Sequence, residues 1–180
     1  KHLKNIEKIK NFDDDYAKRN SETSAVAIIS ADFGSLSFVD FENAIFCPAD
    51  YNDKKLFDKF FADIEKLSKN GNGIKTYLYV PAFLTTNDEK IVAECSERFD
   101  GLYCEGSFGL FLAKRLKKEF FGGVELNVTN RLTYGELVAS ADKVSLSKEL
   151  SYDELKSMPS DGFVLCGGSI KIMSLEYCPF

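Results

Sequence analysis

The chain has a single histidine, and it is His2, beside the first residue. Within the segment this scarcity argues against Ser-His and Cys-His nucleophilic sites and against the usual His-built zinc centres. Basic charge is also short: 23 Lys and Arg stand against 28 Asp and Glu, a net charge of −5. Gripping nucleic acid by charge alone needs clustered Lys and Arg against the phosphates, so that class is disfavoured. The densest basic cluster, Lys114, Arg115, Lys117 and Lys118, is interleaved with Leu112 and Leu116, as on a solvated helix face. The five cysteines are an odd number and none are spaced as CxxC, which fits reduced thiols better than a disulfide framework. No apolar run is long enough to span a bilayer and no basic leader is recognisable. A soluble cytoplasmic protein without a membrane partner is the expectation.

What is present is enough for one sizeable core in a chain of 180 residues. The chain starts at Lys1 and stops at Phe180, and it is expected to be a piece of a longer protein. Residues 1–73 are expected to hold an N-terminal helix and the first strands. Leu3, Ile6, Ile9 and Phe12 recur at helical spacing, and the acidic run Asp13 to Asp15 lacks the alternating spacing of a calcium loop. Ala25 to Ser30, Leu36 to Val39 and Ala44 to Phe46 read as strands, and Asp53 to Leu67 as an amphipathic helix with Asp53 able to cap it.

Residues 74–180 show a regular alternation. Strands are expected at Ile74 to Pro81, Gly101 to Cys104, Val124 to Leu126, Val144 to Leu146 and Gly162 to Cys166. Helices fall between them at Thr86 to Arg98 (with Asn87 as cap), Ser107 to Glu119, Thr133 to Ser140 and Ser151 to Met158. Units of roughly 20 to 25 residues imply right-handed crossovers and a parallel sheet. The expected fold is therefore an α/β, partial or curved (β/α) TIM-barrel-like sheet, since these strands are too few to close eight.

In such a fold the C-terminal strand ends form the rim where sites are kept. Glu105, Asn127, Asn130, Ser147 and Glu149 follow expected strands there and are the candidate substrate-binding residues. Glu105 and Glu149 are a carboxylate pair that can divide acid and base roles if the rim brings them together. Asn127 and Asn130 read equally as ordinary helix caps, and Glu105 as a helix-dipole partner. Among the cysteines, Cys166 follows Phe163-Val164-Leu165 and is expected to be a buried core thiol. Cys178, between polar residues and Pro179, is the one candidate metal ligand, with no second cysteine near it in sequence.

Leu126-Asn127-Val128-Thr129-Asn130, then Val144-Ser145-Leu146-Ser147-Lys148-Glu149-Leu150-Ser151, then Gly167-Gly168 through to Glu176-Tyr177-Cys178-Pro179 resemble, in order, the collagenase-like peptidase family U-thirty-two. Cys104-Glu105-Gly106 resembles a further strand-then-Gly element of that family, with Glu105 where Asn or Asp is usual. The resemblance covers residues 74–180. It implies a bacterial barrel-like domain of a putative hydrolase acting in proteolysis, with no assigned catalytic residues. It also implies an alternative: an iron-sulfur accessory enzyme hydroxylating RNA or a quinone precursor, with Cys178 ligating the cluster in the full-length parent and no cofactor in this segment. A non-catalytic binding module is the third reading. Expected partners are accordingly a peptide, protein or RNA substrate, the remaining domains of the parent chain, and a second copy of this segment. By itself the segment is expected to be inactive.

Overall fold

The computed structural model describes residues 26–29, 41–68, 73–159 and 161–167. Six strands, β1 (Val26–Ile29), β2 (Asn43–Phe46), β3 (Lys75–Val80), β4 (Gly101–Cys104), β5 (Glu119–Gly122) and β6 (Lys143–Val144), pair in sequence order. Every pairing is parallel, so the sheet is a curled half-barrel and the partial α/β barrel expectation holds. Among the described residues the helices are α1 (Lys54–Ser68), α2 (Thr86–Cys95), α3 (Phe108–Leu116), α4 (Arg131–Val138) and α5 (Tyr152–Ser157). The helix expected over residues 2–12, the acidic run after it, the strand at residues 36–39, Gly168 and Cys178 lie outside the described residues.

Successive side chains of a strand point to opposite faces, and here both faces are buried. One face presents Ala44, Phe46, Leu78, Val80, Leu102, Cys104 and Phe120 to Phe57, Phe60 and Ile64 of α1, Val92 of α2 and Leu112 of α3. The other presents Ile45, Tyr77, Tyr103 and Phe121 to one another, with Val26, Tyr79 and Phe163 beside them. A parallel sheet covered on both faces reads as unbroken apolar runs rather than a polar alternation. The two faces differ in kind: the helix-covered side is mainly aliphatic along β3 and β4, and the other side is aromatic. Under α4 and α5 a smaller core gathers Val128, Tyr134, Val144, Leu146 and Met158.

The helix α1 is fastened by aromatics. Phe46 stacks on Phe60 at 4.5 Å and meets Phe57 edge-on at 5.1 Å; Phe99 lies 5.7 Å from Phe60, and Arg98 sits 4.2 Å over the Phe61 ring. Such ring pairs add to the stability that their buried area already provides.

Several element boundaries differ from those expected. Helix α3 ends early because Lys117 takes the left-handed conformation, φ 56°, which frees Glu119 to begin a strand. The strand expected at Val124 to Leu126 is therefore β5, five residues upstream, and Val124–Leu126 is a 3-10 turn. Helix α2 is capped by Thr85 and not by Asn87: Thr85 and Asp88 form a reciprocal capping box, which leaves residue 87 a helical position. Ser151 and Glu154 form a second capping box, as expected for α5. The last expected strand shrinks to one parallel bridge, Ser145 to Phe163. With no ladder beyond it Cys166 is exposed, so the buried-thiol expectation is corrected.

At the opposite, N-terminal rim one device is used twice. Asp100, just before β4, accepts the Thr76 amide of β3 at 2.7 Å, and Asp142, just before β6, accepts the Phe120 amide of β5 at 2.8 Å. Between these clamps Glu119 bonds Lys75 Nζ at 2.5 Å and the Tyr77 hydroxyl at 2.6 Å, while Lys143 Nζ donates to that hydroxyl at 2.6 Å. Burial alone would raise the Glu119 carboxyl, but Lys75, Tyr77 and Lys143 overcome it and hold the group below its ordinary value. A carboxyl that titrates lower folded than unfolded adds stability at neutral pH, and that stability is lost as pH falls through the folded value. Glu119→Gln is expected to flatten the acid limb of the stability profile below about pH 5, read by urea midpoints at each pH.

Gly109 packs α3 on β4, since a Cβ there would stand 2.3 Å from the Cys104 Cβ. Gly109→Ala is expected to cost about 1–3 kcal/mol by urea denaturation. Gly73→Ala, where a Cβ meets nothing within 4 Å, is expected to stay within about 0.5 kcal/mol of the parent.

Candidate functional site

The ladder aligns the C-terminal strand ends, so that Pro81, Glu105, Gly123 and Ser145 follow β3, β4, β5 and β6 on one rim. The backbone bonds continue one residue past the strands: Glu105 N to Val80 O, Gly123 N to Cys104 O and Ser145 N to Gly122 O, at 2.8 to 3.0 Å. Glu105 is thereby fixed at the end of the central strand, and it is only 6% exposed. Its Oε2 accepts the Glu125 amide at 2.7 Å. The carboxylate lies over Gly123, where a Cβ would stand 2.4 Å from Oε2, so a side chain there would displace it.

Tyr79 and Tyr103 stand beside this carboxylate, their rings stacked at 6.0 Å. Tyr103 Oη accepts the Val124 amide at 3.1 Å and also bonds the Ser145 side chain. Burial, and after it the Glu105 charge, raise both phenols, which stay protonated. Next along the rim Lys148 Nζ pairs with Glu125 Oε1 at 2.7 Å.

Of the five residues proposed from sequence, the structure joins three by hydrogen bonds, Ser147 with the Asn127 side chain and with the Glu149 backbone. Ser147, 4% exposed, donates to Asn127 Oδ1 at 2.6 Å and accepts the Glu149 amide at 3.1 Å. Asn127 holds φ 53°, a left-handed conformation that Asn tolerates better than most residues. Asn130 accepts the Thr133 amide at 3.0 Å as the N-cap of α4, the cap alternative of its two readings. Glu105 is buried and the Glu149 side chain is exposed, so the two carboxylates occupy unlike environments. Tyr79, Tyr103, Gly123, Glu125 and Lys148 were not legible as rim residues. The signal available was an aromatic at alternate positions, Tyr77, Tyr79 and Tyr103, opposite an aliphatic set.

A separate cavity of about 310 Å³ opens at the ends of β2 and β3, between the loop at residues 49–52 and the first turns of α2. None of the five rim residues lines it. Among the described residues no group of three His, Cys, Asp or Glu side chains is placed to hold a metal. Cys104 is buried against α3 and its thiol is pushed up by burial and by the Glu105 charge, the opposite of an activated nucleophile. No helix among the described residues is long and apolar enough to cross a membrane.

No known family, curated protein or solved structure matches the chain.

Thiol labelling of the native protein with a disulfide reagent is expected to modify Cys166 rapidly and to leave Cys104 protected until unfolding. Peptide mass mapping of a labelling time course checks this; a fast Cys104 would mean that α3 does not cover it.

Proposed function

We propose that the chain is the substrate-holding barrel segment of a hydrolase of the collagenase-like peptidase kind, with an extended polypeptide lying across the C-terminal rim. The supporting observation is Glu105. Burying a carboxylate costs several kcal/mol unless it is bonded, and Glu105 is kept 6% exposed with its Oε2 on the Glu125 amide. An ionisable group kept at a rim where parallel α/β folds bind ligands is a site candidate on physical grounds. Around it the rim offers half-buried Tyr79 as an aromatic face and exposed Asn127 as a polar group, each backed by a buried neighbour, Tyr103 and Ser147. The sequence resemblance supports the same assignment independently of the geometry.

In this reading the segment's part is to hold the polypeptide. Fluorescence anisotropy of labelled gelatin peptides with the full chain tests it. Binding is expected, and Glu105→Gln, with its fold verified by near-ultraviolet circular dichroism, is expected to weaken it about tenfold or more. Absence of binding, or equal binding by the variant, overturns the proposal.

A further inference from the structure

The cavity beside β2 and β3 meets the rim at Pro81 and holds none of the five candidate residues, and its lining is one-sided in charge. Pro81, Leu84, Ile91 and Val92 supply apolar wall. Two carboxylates, Asp50 and Asp88, lie on it, and among the described residues no Lys, Arg or His lines it. Asp88 is held anionic well below its ordinary value by the Thr85 hydroxyl and amide. The same capping box closes the start of α2, so the helix end that borders the cavity does not serve an incoming anion. Tyr51 is turned inward, its hydroxyl donating to Tyr79 O at 2.6 Å, so its polar end is spent and an aromatic ring remains in the wall. Phe83, 92% exposed, stands on the lining as well.

A ligand for this cavity must be apolar along its body and positive at its end. Its volume is at the lower limit for small-molecule sites and suits one side chain better than a cofactor. Two carboxylates with two aromatic faces match an ammonium or guanidinium by charge and by cation–π attraction. We infer that the cavity is a specificity subsite that takes a basic side chain, lysine or arginine, of the polypeptide held on the adjoining rim. This rests on the polypeptide reading above. The link between cavity and rim is direct, because Tyr51, in the cavity wall, bonds the backbone of Tyr79 in the rim.

The test uses the full chain and two probes. In the first measurement, otherwise identical labelled peptides carrying lysine, norleucine or glutamate at one position are compared by anisotropy. The lysine peptide is expected to bind at least about tenfold tighter than the norleucine one, with the glutamate peptide weakest. Asp50→Asn and Phe83→Ala, both at exposed positions, are expected to erase the difference between the lysine and norleucine peptides. Glu105→Gln is expected to weaken all three peptides alike. If the peptides bind but lysine is not preferred, or the preference survives both cavity variants, the subsite is overturned while the rim proposal stands. If no peptide binds, the rim proposal fails and the subsite is decided alone by the second measurement, amide chemical shifts with N-acetyl-lysine methylamide and its norleucine counterpart. Saturable shifts at Asn52, Leu84 and Ile91 with the lysine probe only, reduced in Asp50→Asn, uphold it; their absence overturns it.

Discussion

Parallel pairing in strict sequence order is the constraint on which the rest of this chain depends. From β2 to β6 each strand is laid beside its predecessor in one register, with Phe46 beside Leu78, Leu78 beside Leu102, Leu102 beside Phe120. That register brings the residues after the strands to a common level and assigns every strand residue to a face. The twin aspartate clamps at the far rim, Asp100 on Thr76 and Asp142 on Phe120, peg alternate strand pairs from below. Charge and polar bonding at that end are spent on holding strands together, which leaves the other end to deliver Glu105, Ser145 and Ser147 upward.

The two faces divide the work between them. Aliphatic and phenylalanine side chains on one side bind the helices by area and ring packing, the dominant favourable term in folding. On the other, Tyr77, Tyr79 and Tyr103 bring hydroxyls into a face that is otherwise apolar, and those of Tyr77 and Tyr103 serve opposite ends of the sheet. Tyr77 joins the lower charge network, while Tyr103 receives the Val124 amide of the upper turn. An inner face of aliphatics would fill the same space but would leave that turn and the buried carboxylate beside it less firmly placed.

Much of the fold was legible because period and punctuation agreed: the helix over α1 from its apolar face, α5 from Ser151 and Glu154, β3 and β4 from short apolar runs. What escaped was decided by backbone conformation. The left-handed turn at Lys117 cannot be read from a lysine, yet it moves β5 upstream and converts Val124–Leu126 into a 3-10 turn. Asn130 was legible only as one of two alternatives, since cap and site place the same residue type at the same point. Glu105 could be singled out as a strand-end carboxylate, but its depth depends on Gly123, eighteen positions away in a neighbouring strand end, which no local pattern reports.

The contact of Glu105 with Gly123 ties two positions by volume as well as by chemistry. The space a side chain would fill at residue 123 is already occupied by oxygen from residue 105. Neither position is free to vary alone: a methyl group at 123 evicts the carboxylate, and a shorter acid at 105 leaves a hole that a methyl group would fill. The two therefore form a lock-and-key pair within one chain, in which a change at one position becomes tolerable only when the other has changed in the opposite sense of size.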